Sequence, residues 1–274
     1  MLQKPVNRFL IPGFLLNSVP KAGTHLLLRA IQLFPGVRPT GILIKDEIRK
    51  LAADSSWADP NSTAMSAARD RTVPLACVSG ALKMVKAGHY GYGHLPYSDA
   101  LASLISDMGL KLVLIMRDPR DVVVSHAHHI AQIERHRLFD HFQSLSEEER
   151  IMACIRGVGE RLRNIDLRFR AFLPWISQPL SYTTYFDRLV GVAGGGMRED
   201  QIEELENIAR HLGLKCSPAE IDRVACQLFG NSATFRRGLI GSWRCAFTEA
   251  HSRAFKEVAG PLLIELGYER DLAW

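Results

Sequence analysis

Apolar positions along the chain fall into short unbroken blocks separated by longer stretches with helical spacing. The first block, Phe14–Val19, stops at Pro20-Lys21-Ala22-Gly23-Thr24-His25, and apolar residues then recur with a helical period as far as Phe34. That pattern predicts a buried strand, a small-residue loop and a helix. The clearest strand is Leu110–Arg117, a nearly continuous apolar run ended by Pro119, as expected for a strand covered on both faces. Leu180–Phe186 reads as a third strand from its β-branched and aromatic content, and Pro74–Gly80 as a further short one. Helices are expected near Lys45–Ala53, from Pro119 through Arg135, over Glu147–Phe172, near Arg198–Leu212 and Pro218–Leu228, and over Thr248–Leu266. Asp118 caps the second of these with Pro119 at its first position, and Ser146 caps the third. The remaining segments read as irregular: 35–72, the Gly-, His- and Tyr-rich Lys86–Ala100, the Gly194-Gly195-Gly196 loop and 231–247. Strands alternating with helices predict an α/β fold, a three-layer αβα arrangement around a parallel sheet in one domain, 1–274.

Composition narrows the class. The 274 residues are 47% hydrophobic and 23% charged, as in ordinary globular proteins. The net charge of +5 favours an anionic ligand, but the basic residues are scattered among 29 acids and form no tight runs, so nucleic acid is not expected. No stretch approaches a membrane span, and the N-terminus lacks the apolar core of a signal peptide. The five cysteines are widely spaced without a CxxC pair, which predicts neither zinc nor a disulfide framework and suits a reduced, cytoplasmic protein.

Three loops have the residue types that hold anions, at places where an α/β sheet presents its ligands. In the first, Lys21–Leu26, backbone N–H groups open a helix whose dipole is positive at that end, and Lys21 and Thr24 add a charge and a hydroxyl. The second is Arg117 at a strand end with Ser125 two helical turns on; the third is Arg236-Arg237-Gly238. The first loop is not a Walker A motif, because Lys21 precedes Gly23 and no Gly-Lys-Ser/Thr follows. A nucleotide-dependent kinase is therefore the weaker reading, alongside a non-catalytic nucleotide-binding protein.

The blocks VPKAGTHLLLRA, GYGHLPYS, LVLIMRDPRDVVVSHAHH, YFDRLVGVAGGG and FRRGLIGSWRCAFT, in this order from about Phe14 to Tyr268, resemble the signature blocks of the sulfotransferase family. The resemblance implies a P-loop-like core and transfer of a sulfuryl group from 3′-phosphoadenosine 5′-phosphosulfate to an acceptor hydroxyl on a small molecule or carbohydrate, without a metal. It implies that Lys21, Ala22, Gly23, Thr24, His25 and Leu26 wrap the 5′-phosphosulfate. Arg117 and Ser125, with Phe235, Arg236, Arg237 and Gly238, would hold the 3′-phosphate, and Tyr185 would lie near the adenine. His94 would be the general base and Lys21 the stabiliser of the leaving oxygen. The chain departs from the family at Tyr92 and Gly93, where a lysine and a threonine are usual, at Ser242 in place of an aspartate, and at His25-Leu26.

His126 and His129, spaced i, i+3, with His128 and His136 nearby, lack a carboxylate or cysteine to complete a metal site, so no metal is expected there. Trp57, Trp175 and Trp274 read as packing residues. The acceptor is expected to meet the segments near 36–60, 80–98, 126–145 and 230–242, in a pocket with apolar walls.

Overall fold

The computed structural model describes residues 11–38, 41–53, 61–230 and 238–274. The chain runs β1 (Phe14–Ser18), α1 (Thr24–Leu33), β2 (Ile42–Leu43), α2 (Ile44–Ala53), β3 (Ser62–Ala64), β4 (Thr72–Pro74), α3 (Leu75–Leu82), β5 (Tyr90–Gly93), α4 (Asp99–Asp107), β6 (Lys111–Met116) and α5 (Pro119–Gln132). It continues through α6 (Phe139–Gln143), α7 (Glu147–Arg156), α8 (Ile165–Arg170), β7 (Ser181–Tyr185), α9 (Phe186–Leu189), α10 (Arg198–Leu212), α11 (Pro218–Gln227) and α12 (Glu249–Glu265).

Five strands form one parallel sheet in the order β2-β5-β1-β6-β7. β6 shows why the apolar blocks become strands. Successive side chains of a strand point to opposite faces. Leu112, Leu114 and Met116 enter one core with Val123, Ile151 and Phe255, while Val113 and Ile115 enter the other with Ile31, Leu205 and Val224. Each of these fully buried side chains contributes about 1.5–3 kcal/mol of apolar burial. Both faces of the sheet are thus covered by helices, the α/β layering read from the sequence.

Chain order reverses at β1, which has β5 and β2 on one side and β6 and β7 on the other. In such sheets the crevice for ligands opens beyond the carboxyl ends of the strands at the reversal. Here that point is Ser18–Thr24.

Four expectations are corrected. Pro74–Gly80 is not a strand: β4 ends at Pro74 and α3 begins at Leu75, burying Cys77, Val78, Ala81 and Leu82 with a helical period. A short apolar run cannot by itself distinguish these two outcomes. Within Lys86–Ala100, Tyr90–Gly93 is a sheet strand, although glycine is a poor strand former. Gly91 answers to packing: a Cβ there would lie 2.7 Å from Ile44 Cδ1 and 2.9 Å from Leu15 Cδ2. The helix expected over Glu147–Phe172 stops at Arg156, because Gly157 takes φ 90° with the Leu162 carbonyl where a Cβ would sit, and α8 restarts under an Asn164 cap. The region 35–72 is not wholly irregular outside α2, since it also holds β2, β3 and the start of β4. Trp57 lies outside the described residues.

Candidate active site

A cavity of about 790 Å³ opens beyond the carboxyl ends of β1, β5 and β6, within the range of small-molecule sites. Lys21, Gly23, Thr24, His25, Leu26, His94, Arg117, Ser125 and Gly238 all line it, so the separate sequence blocks meet at one place. Ala22 is fully buried behind them. Tyr185 is not in the lining; it packs into the core on the other face of the sheet, and its neighbour Phe186 faces the cavity instead. Phe235, Arg236 and Arg237 lie outside the described residues.

The first loop is held in a shape that exposes its amides. Lys21 has φ 76° and Gly23 φ 117°, the latter as the N-cap residue of α1, with no side chain capping that helix. The left-handed region costs a non-glycine residue about 1–2 kcal/mol, so the fold invests strain at the one lysine of this loop. A Cβ on Gly23 would lie 2.9 Å from Phe186 and 3.0 Å from Ile115, which ties the turn to the sheet. The uncapped first turn of α1 and the lysine are the groups from which helix-start anion sites are built.

His94 is held from β1. Its Nδ1 lies 2.9 Å from the Ser18 carbonyl and 3.1 Å from Ser18 Oγ, which in turn is 2.7 Å from Thr24 Oγ1. A carbonyl only accepts, so Nδ1 carries the hydrogen and Nε2 holds the free lone pair. Asn17 clamps the same segment, its side chain donating to the Leu95 carbonyl at 2.9 Å and accepting from Leu95 N at 2.8 Å. Trp175 Nε1 also donates to the Leu95 carbonyl, at 3.0 Å. His94 presents exposed surface to the open cavity, yet the protein packed around it and then Lys45, Lys21 and His25 push its pKa down to about 4, against the pull of its Ser18 bond. A neutral imidazole with an open Nε2 can accept a proton at physiological pH.

Arg117 leaves β6 on the far side of the loop. It is 7% exposed, lies 4.1 Å over the Phe186 ring, and donates through Nη2 to the Leu239 carbonyl at 2.8 Å. Its buried Nε has no partner among the described residues, as expected of a group that awaits an oxyanion. Asp121, one helical turn on, accepts from Gly241 N, Ser242 Oγ and Trp243 N, each at 2.9 Å, and lies 3.3 Å from Arg117 Nη2. It fastens the loop that follows Gly238 to the head of α5. Gly194 supports the same loop, accepting from Ile240 N at 3.0 Å.

Residues 12–229 match the model of the sulfotransferase domain. The chain belongs to the sulfotransferase family. Among solved structures, it is similar to mouse sulfotransferase SULT7A1 in complex with PAP, with a TM-score of 0.64, 17% identity, and coverage of 95% of this chain and 87% of that one. It is also similar to retinol dehydratase, solved with androsterone and PAP (TM-score 0.56, 17% identity, 91% and 80% covered) and with retinol and PAP (TM-score 0.57, 18% identity, 91% and 80% covered). At these identities the structures show a shared fold. No curated protein matches the chain in sequence.

Within this sulfotransferase fold, four supporting residues escaped the sequence reading. Asn17 and Ser18 were visible as polar residues inside an apolar strand, and Asp121 as the i+4 partner of Arg117. Phe186 gave no signal apart from adjacency to Tyr185. The histidines behind Ser125 are structural in part: Arg168 donates to His126 Nδ1 at 2.6 Å and to the Cys154 carbonyl at 2.6 Å. That bond occupies the His126 lone pair. Burial first, then Arg168, holds the His126 pKa well below its ordinary value.

Proposed function

We propose that the chain transfers a sulfuryl group from 3′-phosphoadenosine 5′-phosphosulfate to the hydroxyl of a small-molecule or carbohydrate acceptor. The observation that carries this reading is the convergence, in one cavity, of the open helix start beside Lys21, the unpartnered Arg117 Nε and the His94 Nε2 lone pair. The Lys21–Leu26 loop receives the 5′-phosphosulfate. Arg117 and Ser125, with Gly238 and the preceding Phe235, Arg236 and Arg237, receive the 3′-phosphate. The Phe186 side is the place for the adenine, in preference to Tyr185, and the whole of 1–274 acts as one domain.

The chemistry needs little covalent help from the protein, being mainly positioning and charge stabilisation. The acceptor O–H gives its proton to His94 Nε2 while the acceptor oxygen bonds to sulfur. The bond between sulfur and the bridging oxygen breaks, and its electron pair stays on that oxygen, where Lys21 meets the growing negative charge. This exchange balances without a metal. His94 is fixed for its role by Ser18 and by the Asn17 clamp on Leu95. Among the described residues no helix is long and apolar enough to cross a membrane, and the cytoplasm is the compartment expected from cysteines that are widely spaced and form no CxxC pair.

The test is transfer of labelled sulfate from the nucleotide to a panel of alcohols, phenols and sugars. We expect His94→Ala to lower kcat by about 10²–10⁴-fold and Lys21→Ala by about 10²–10³-fold, both with nearly unchanged acceptor KM. Full activity of His94→Ala would remove the base assignment.

A further inference from the structure

The wall of the cavity beyond the donor loops carries Lys45, Arg49, Arg69, Arg71, Arg135 and Arg137. They arrive from three separate places: α2, the segment between β3 and β4, and the segment between α5 and α6. Asp121 is the only carboxylate among the described lining residues, and it is occupied by the 241–243 loop. Of the six cations, Arg49 alone has an ion pair among the described residues, with Asp46 at 3.4 Å. The entire chain has a net charge of +5, so six cations on one wall mean that positive charge is gathered there while the rest of the molecule is close to balanced.

Gathering like charges works against folding. The strain is visible in the groups themselves. The Lys45 ammonium is pushed down by burial and then by Arg49 and Arg71, and Arg137 by burial and then by Arg69. The donor does not account for these charges. Its phosphosulfate and 3′-phosphate, the latter about −1.5 to −2, are met by Lys21, the α1 amides and Arg117. Lys45 shares the cavity lining with His94 and is near enough to lower its pKa, so the basic wall adjoins the base. Apolar side chains such as Ile48, Met65 and Val73 also line this part, so the expected apolar walls are present but share it with the basic groups.

The geometry points to an anionic acceptor: a hydroxyl compound that already carries a phosphate, sulfate or carboxylate, held by this wall with its hydroxyl at His94. This rests on the proposed function and gives it a substrate class, one distinct from the apolar alcohols retinol and androsterone bound by the structural neighbour. Arginine forks pair with such groups through two parallel bonds, and a one-signed cleft draws anions in.

Calorimetry on the full chain tests it, first with 3′-phosphoadenosine 5′-phosphate, then with matched probes added to that complex. The probes are phenol against 4-hydroxyphenyl phosphate, glucose against glucose 6-phosphate, and glucose against the monomer glucuronate, with a neutral glucose oligomer against an oligouronate. We expect each anionic probe to bind at least about tenfold tighter than its neutral twin, and added salt to erase the difference. A further gain for the oligouronate over the monomer would identify a glycan source, and equal binding a small-molecule source. In Arg69→Gln/Arg71→Gln/Arg137→Gln the preference should disappear with nucleotide affinity unchanged. If that variant does not fold, Arg49→Gln/Arg135→Gln, at exposed positions, should halve the preference or more. Nucleotide binding by the wild type with no preference for anions, including no binding of any probe, overturns this inference alone, as does a preference that survives the substitutions. Failure of the wild type to bind the nucleotide overturns the functional reading and this inference with it.

Discussion

Asp121→Asn is the most demanding test of the loop architecture. The carboxylate is 1% exposed and serves four donors: Gly241 N and Arg117 Nη2 on one oxygen, Ser242 Oγ and Trp243 N on the other. Asparagine has the same shape but only one accepting oxygen, so in either orientation its NH2 group faces a backbone N–H. Hydrogen bonds to a charged group are worth about 1.5–3 kcal/mol, and a buried donor left without a partner costs about 1–3 kcal/mol. Losing two of the four bonds and stranding one amide therefore costs about 4–9 kcal/mol locally, shared between global stability and detachment of the 238–243 loop. Because that loop packs against Arg117 through the Leu239 carbonyl, detachment reaches the donor site. We expect thermal unfolding to shift down by several degrees, and PAP affinity by calorimetry to fall about 10–100-fold. A variant with unchanged melting temperature and affinity would refute the tethering role.

Lys21→Gly and Lys21→Ala should both lose transfer activity. Because the position is left-handed, the glycine variant should be the more stable of the two by about 1 kcal/mol in thermal unfolding; the reverse order would remove the strain argument. Acid stability offers a further check. The His126 pKa is held down in the folded protein, so the unfolded chain takes up this proton first as pH falls below about 6.5. Stability should thus drop below that pH, by up to about 1.4 kcal/mol per pH unit from this group. His126→Gln should flatten the slope measured by urea unfolding between neutral pH and pH 5, and an unchanged slope would count against it.

The sheet was legible where apolar runs were long enough to be buried on both faces, as in β1 and β6, and where β-branched and aromatic residues cluster, as in β7. It was obscured at β5, whose glycines look like loop residues and where the packing of Gly91 depends on Ile44 and Leu15, which are distant in sequence. The same holds for α3, whose apolar start fits either element, and for the break at Gly157, which is set by the Leu162 carbonyl. The candidate site residues stood out by chemical type, and Lys21, His94, Arg117 and Ser125 line one cavity. Their supports did not, because Asp121 and Asn17 act on loops that lie far from them in the chain. The basic wall was also hidden, since its arginines are scattered in sequence and converge only through the turns flanking β3, β4 and α5.

The central claim is that Lys21–Leu26, Arg117 and Ser125 form a donor site for a 3′-phosphorylated adenine nucleotide. Its most direct test is calorimetric titration of 3′-phosphoadenosine 5′-phosphate, without metal, into the wild type and into Arg117→Ala/Ser125→Ala. The account predicts a micromolar Kd, about −8 kcal/mol, for the wild type and no measurable binding by the double variant. Absence of binding by the wild type, or equal binding by both proteins, would contradict it.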